Sequence, residues 1–423
     1  MRASKCLVFA LTAAFAGLGC SQGGSQEPPS LCPKAGPVDV LVQAYDFSTK
    51  AYQERKVTLT TPTDVCTLQG PVVKFMSGAK FVWDDYREGM TAEVMLAAIR
   101  KDSGVPFQVS LEERDWALGP ADARSKEALT AYYNFERAFS FFNTIGGLSP
   151  SDLPTPFVYY NTGARSDGAY FMSLAQSFLV PPADCFSGIR YLGYAGHLYA
   201  TAVFYARVHD RQPLPRIVMA WDREPGPTPG MNLVMALEIG QADLFGLGAT
   251  CTEGFADCDF RLFEDFLRQE SSEARRIDAV HCMDGVLKSD LEQLAYGDFR
   301  SRCSPSSCPF ALGTIFASAV WRAAADEALV AAVGPGEARK LAFRAVWNAE
   351  TSSTTKGWRE LILAAENDQS AFKLADALGA VVDGAADPRL KPALCGAFLD
   401  RFGLTLAELP SCPATAVSYG ECP

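Results

Sequence analysis

The first twenty residues decide where everything after them must fold. Arg2 and Lys5 supply positive charge, and the apolar run from Cys6 to Ala16 is too short to remain in a bilayer as a spanning helix. A basic start, a short apolar stretch and small residues before residue 20 together read as an export signal. Export changes the meaning of the cysteines. The chain has 13, and setting aside Cys6 and Cys20 leaves eleven for a compartment that permits disulfides. The close pairs Cys251/Cys258 and Cys303/Cys308 read as local loop staples, with Cys32/Cys66 and Cys412/Cys422 as further pairs. No CxxC occurs, so the spacing does not read as zinc. An odd number leaves at least one thiol free or paired between chains.

The signal closes on Gly17-Leu18-Gly19-Cys20, which resembles a lipobox, with Gly17 where such signals usually carry Leu. The resemblance implies that Cys20 becomes the lipidated first residue of the mature chain. Ser21 rather than Asp after it implies sorting to the outer membrane. The segment from Ser21 to Ser30 offers nothing to a core, and its Gly/Ser/Gln/Pro composition makes a flexible spacer. The expected partner at this end is therefore the membrane, reached through a lipid. No later stretch reads as a transmembrane span, because charges, Gly or Pro interrupt the apolar runs.

The rest of the chain is long enough for a large core. Its net charge of −11 is spread along the sequence, which argues against nucleic-acid binding. From Val38 to about Leu118 the pattern is mostly period two: Val38–Tyr45, Lys56–Thr60, Val72–Phe75 and Lys80–Trp83 read as strands, with one helix near Thr91–Arg100. Helical spacing then takes over. Leu129, Tyr132, Phe135, Phe139 and Phe142 fall on one face of a helix over Asp122–Asn143, stopped by Gly146-Gly147. Short strands follow at Pro156–Tyr160 and Ala169–Met172, then a helix over Met231–Leu247. Beyond Cys251 the helical segments are Phe260–Gln269, Leu312–Ala332, Gly336–Asn348, Gly357–Glu366, Ser370–Val382 and Pro392–Phe402. The fold class is α+β. The expected divisions are a signal over 1–20, a tether over 21–37, a β-rich unit over 38–118, an α/β lobe over 119–250, and a helical lobe with disulfides over 251–423.

Taken alone, the residues supply no complete catalytic set. His197, His209 and His281 are the only histidines, and none stands in a zinc-ligand spacing, so each reads as structural or surface. No G-x-S-x-G elbow, phosphate loop or calcium loop is present. Asp222, Glu224 and Glu238 are acids that could take a hard cation or do acid–base work, and read more simply as solvated loop and helix-face groups.

The order of segments carries more. The helix around Ala128–Phe135 leads into strands, then Trp221-Asp222-Arg223-Glu224-Pro225. Next come Ala236-Leu237-Glu238-Ile239-Gly240-Gln241-Ala242-Asp243-Leu244-Phe245 and, later, Gly313-Thr314-Ile315-Phe316-Ala317-Ser318-Ala319-Val320-Trp321. This order resembles the gluzincin metallopeptidases of the thermolysin and fungalysin type, over roughly Ser125–Phe402. There an HExxH helix precedes a helix reading ALNEGxADxF and a segment G-x-I-x-A-x-A-x-W. The resemblance implies a gluzincin-like mixed lobe and an inter-lobe groove, open to a peptide or protein ligand.

It also implies that the chemistry is gone. Trp221, Asp222 and Pro225 stand at the first His, the Glu and the second His; an indole N–H and a pyrrolidine cannot ligate zinc. Ile239 stands at the third ligand, four before Asp243, and Glu238 lies about 100° away around the helix. Gly168 replaces the Asn that grips substrate, and Pro309 replaces the His that stabilises the oxyanion. In the family the matching Asp orients a zinc-binding His; without one, Asp243 is expected at the surface or in another hydrogen bond. The expectation is a catalytically inactive, metallopeptidase-like envelope lipoprotein with a binding or structural role, no metal and no cofactor. The alternatives are a hydrolase with a non-standard acidic site and a lipoprotein of unrelated fold.

Overall fold

A computed structural model describes residues 32, 36–81, 97, 100–153, 155–160, 170–172, 177–180, 188–209, 229–260, 276–285, 287–288, 291, 308–350, 357–364 and 372–423. The export signal, nearly all of the tether and the expected helices over Thr91–Arg100 and Phe260–Gln269 lie essentially outside them. The fold is α+β: the described strands all precede residue 181, and the described α-helices follow residue 191 except for one, Ala123–Gly146, set between the strands.

The strands in chain order are β1 (Val38–Asp46), β2 (Ala51–Leu59), β3 (Lys74–Ser77), β4 (Lys80–Phe81), β5 (Arg100–Asp102) and β6 (Val105–Pro106). They continue with β7 (Leu111–Arg114), β8 (Ala117–Pro120), β9 (Phe157–Tyr160), β10 (Tyr170–Met172) and β11 (Ser177–Val180). One sheet has the order β2-β1-β8-β7 and a second the order β10-β11-β9-β3-β6, while β4 pairs with β5. Val40, Val42 and Ala44 are buried at alternate positions of β1, so its period-two pattern faces the core as expected. The second sheet joins β3 and β6 to β9–β11, so the boundary expected at 118/119 falls inside one sheet system rather than between units. Gly119-Pro120 ends β8, where Pro120 pairs with Leu111.

Helix α1 (Ala123–Gly146) joins the two sheets. The Asp122 side chain accepts from the Ser125 amide at 2.7 Å, capping the first turn, and Gly147 at φ 67° ends the helix in the left-handed region. Its expected aromatic stripe is buried. Phe135 stacks on Phe178 of β11 at 4.9 Å, and Tyr132 lies against Phe75 of β3. On the other side, Thr130 Oγ1 accepts from the Gln43 amide of β1, and Glu136 accepts from the amides of Thr60 and Thr61.

The remaining helices are α2 (Leu192–Val208), α3 (Pro229–Thr250), α4 (Cys308–Ala324), α5 (Glu327–Val333), α6 (Pro335–Glu350), α7 (Trp358–Ala364), α8 (Leu374–Gly384) and α9 (Leu390–Phe402). The single helix expected over Leu312–Ala332 is two. It breaks at Ala325-Asp326, where the Asp326 carboxylate accepts from the Leu329 amide and caps α5. The stretch Asn232–Thr250 is long and apolar enough to cross a membrane, but almost all of it is buried inside the protein. It is apolar on all sides because α1, α2, α4 and α6 surround it.

Four disulfides form among the described residues: Cys32–Cys66, Cys251–Cys258, Cys282–Cys422 and Cys395–Cys412. The first two agree with the sequence reading. The pair Cys412/Cys422 does not form: Cys412 bonds Cys395 on α9, and Cys422 bonds Cys282. Short spacing misled because connectivity is a property of the fold, not of proximity along the chain. Cys303 and the side chain of Cys308 lie outside the described residues.

Glycines set how closely α3 meets its neighbours. A Cβ on Gly246 would stand 2.7 Å from the Gly193 carbonyl oxygen and 2.9 Å from the His197 amide nitrogen of α2. A Cβ on Gly313 of α4 would stand 2.9 Å from the Gly240 nitrogen. Both obstacles are backbone and cannot rotate away. Gly246→Ala should therefore destabilise the protein by about 1–3 kcal/mol, despite the ~1 kcal/mol that Ala gains in a helix interior. Urea denaturation reads this directly, and an unchanged or raised midpoint would contradict the close approach.

Candidate functional site

A largely buried imidazole–carboxylate pair lies on the seam between α2 and α3. The two helices run antiparallel: His197 meets Asp243, and further along, the Ala200 carbonyl accepts from Gln241 Nε2 at 3.5 Å. His197 Nδ1 lies 2.8 Å from Asp243 Oδ1, with the His side chain 17% exposed and the Asp side chain 1% exposed. Tyr194 stacks over the imidazole, its ring 6.3 Å away and 11° from parallel. The glycine contacts explain the short span. Gly196 and Gly246 let the backbones approach until a carboxylate on one helix reaches an imidazole on the other.

Antiparallel packing fixes what else shares the site. One turn forward from His197 on α2 is Thr201, and one turn back from Asp243 on α3 is Ile239, so the two stand level across the seam. The Thr201 hydroxyl donates to the His197 carbonyl at 3.2 Å. Ile239 packs with Met235 and the partly buried Phe310 in a small apolar cluster separate from the main core. Leu198, next to His197, is buried.

The site residues expected from the sequence divide into two groups. Trp221, Asp222, Glu224, Pro225 and Gly168 lie outside the described residues. Ile239, Asp243 and Pro309 are inside, and Pro309 is buried in the first turn of α4, where a proline ring costs the helix no hydrogen bond. Asp243 is a correction in part: it is not a surface residue, and it does hold a histidine. His197 was missed because α2 was not read as a helix. The available signal was small residues at Gly193, Gly196 and Ala200, the spacing of a close helix contact, with the only nearby His set among them.

Glu238 points elsewhere on α3. It is half-buried, and desolvation pushes its carboxyl up to about 7. Its charge in turn helps burial raise the Tyr205 phenol of α2. His209, at the end of α2, is buried against Phe204 and Tyr205, and burial pushes its imidazole down to about 4, so it is neutral at physiological pH. His281 Nε2 donates to the Arg276 carbonyl oxygen at 2.6 Å, and burial lowers its pKa. Among the described residues no three His, Cys, Asp or Glu side chains converge as a metal-binding group. Compared with known proteins, the chain matches no family model and no curated protein.

The raised Glu238 value gives a pH signature. A carboxyl whose pKa is higher in the fold than in the unfolded chain favours the fold fully below its ordinary value near 4.5, and that contribution is lost as pH rises through about 7. Glu238→Gln removes the titration. The variant should therefore gain on wild type between pH 5 and 8, by on the order of 2–3 kcal/mol. Parallel denaturation curves across that range test it, and a constant difference would show that Glu238 is not desolvated.

Proposed function

We propose that this protein is a catalytically inactive, gluzincin-like envelope lipoprotein in which the helix pair that would bind zinc survives as a structural and binding frame. The observation that carries this reading is the His197–Asp243 pair at 2.8 Å with Thr201 and Ile239 level beside it. In the resembled peptidases an Asp orients a zinc-binding His, and the third ligand lies four residues before that Asp. Asp243 has a His partner, and four before it is Ile239.

This moves the first-ligand position from Trp221 to His197 and the second from Pro225 to Thr201, with Leu198 at the position of the catalytic Glu. One ligand of three is then retained. A neutral hydroxyl already bonded to a backbone carbonyl and a branched alkyl group do not complete a zinc site. Without a metal and a carboxylate, a bound water keeps its ordinary pKa, and no nucleophile forms at neutral pH.

The binding half of the proposal rests on the second sheet. Among the described residues β10 is an edge strand, and it lies against α2. Gly168-Ala169-Tyr170, at the position where the resembled family grips substrate, runs into this strand. An edge next to the seam offers main-chain donors and acceptors to an extended peptide. Export, lipid attachment at Cys20 and sorting to the outer membrane are part of this proposal, supported by the signal-like first twenty residues and the lipobox resemblance, with the disulfides in keeping with an oxidising compartment.

Protein purified in metal-free buffer should hold zinc far below one equivalent and leave unstructured peptides uncut. Stoichiometric zinc, or cleavage abolished by a chelator, would overturn the inactive reading and return Glu238 to consideration as an acid–base group, since its pKa near 7 suits that work.

A further inference from the structure

Trp116 is 90% exposed, the most exposed large apolar side chain among the described residues. It is half of the two-residue loop that joins β7 to β8, since Arg114 pairs directly with Ala117. Both loop residues have positive φ, 52° at Asp115 and 58° at Trp116. Such a loop favours Asn-Gly, and a bulky aromatic side chain is disfavoured there. The fold therefore holds an indole on a rigid tip, away from its own core, at a backbone position that does not suit it.

The disulfide Cys32–Cys66 limits how far that tip can stand from Cys20. It fastens the chain to the body at Cys32, six residues before β1 begins. The Cys66 carbonyl accepts from the Val109 amide at 2.8 Å, so this anchor point lies at the base of the β7–β8 hairpin. From Val109 to Trp116 the strand rise gives about 20–25 Å. The covalent chain from Cys20 to Cys32 can reach at most ~40 Å. A lipid on Cys20 thus holds the hairpin within reach of the bilayer.

We propose that Trp116 is an interfacial membrane anchor, seated among lipid headgroups when Cys20 is acylated. Tryptophan suits that boundary because its ring is apolar and its N–H can still bond to headgroups. Lys56 lies directly behind the tip: its Nζ is 3.2 Å from the Trp116 carbonyl oxygen and 2.9 Å from Asp39. An ammonium has three donors, which leaves one for a lipid phosphate. The surrounding charge is mixed, with Asp115, Glu113 and Glu112 beside Arg114, so the surface fits a zwitterionic bilayer rather than a strongly anionic one.

This inference rests on lipidation at Cys20, and the test separates the two. Full-length protein is reconstituted into phosphatidylcholine vesicles with ordinary or brominated acyl chains, and the acyl mass on Cys20 is measured on the same sample. Wild type should lose fluorescence in the brominated vesicles, and Trp116→Phe should lose most of that difference while keeping its thermal midpoint. Acylated protein with equal quenching in both forms would overturn the anchor and leave the lipoprotein reading standing. Protein without an acyl group would overturn both. A dimer of lipid-free Cys20→Ser protein that disappears with Trp116→Ala would also overturn it, assigning the tip to a second copy.

Discussion

Backbone contact between α2 and α3 is the constraint on which the candidate site depends. Gly196 and Gly246 remove the side chains that would hold the helices apart, and the helices then meet almost main chain to main chain. At that separation a buried aspartate reaches a histidine on the opposite helix, with Asp243 Oδ1 2.8 Å from His197 Nδ1. Asp243 would otherwise be a desolvated charge, whose burial is costly without a hydrogen-bond partner. The glycine seam and the His–Asp pair are two parts of one arrangement. The first makes the second geometrically possible, and the second satisfies the polar group that the first buries.

The same device repeats on the other side of α3, where Gly240 meets Gly313 of α4. A helix flanked closely on two sides leaves little room for anything polar, which accounts for its apolar surface. The aromatic layer of Phe141, Phe142, Phe245 and Phe343 then fills the space towards α1 and α6. Because α1 also bonds to both sheets, the strands and the helices share one continuous core from Val40 to Ala416. The division into successive units read from the sequence follows composition, whereas the contacts run across it.

Much of the fold was legible where one face of an element is wet. The alternation in β1 and the three-to-four spacing in α1 survive because each presents a core face and a more open one. α2 offered no such contrast. Leu192, Tyr194, Ala195, Leu198, Tyr199, Ala200, Val203, Phe204 and Tyr205 are all buried, so apolar residues occur on every side and the period disappears. Its loss had a direct cost at the site, because the sequence reading left Asp243 with no histidine to meet, whereas His197 of this helix lies 2.8 Å from it. Ile239 and Asp243 were found because their spacing lies within a single helix. His197 was not, because its pairing with Asp243 spans 46 residues and exists only once the two helices pack. The disulfides divide the same way: the local Cys251–Cys258 was readable, and Cys282–Cys422, 140 residues apart, was not.

In the function proposed above, the α2–α3 seam keeps zinc-site geometry with most of its ligands replaced. Restoring them together in the frame defined by His197 and Asp243 tests it most directly: Leu198→Glu, Thr201→His and Ile239→Glu in one chain, titrated with zinc and followed by cobalt-substitution spectra. The account predicts one equivalent of tightly held metal with a four-coordinate spectrum, weakened 10–100-fold when Asp243→Ala is added. A folded triple variant that takes up no metal, or whose metal binding ignores Asp243, would contradict it.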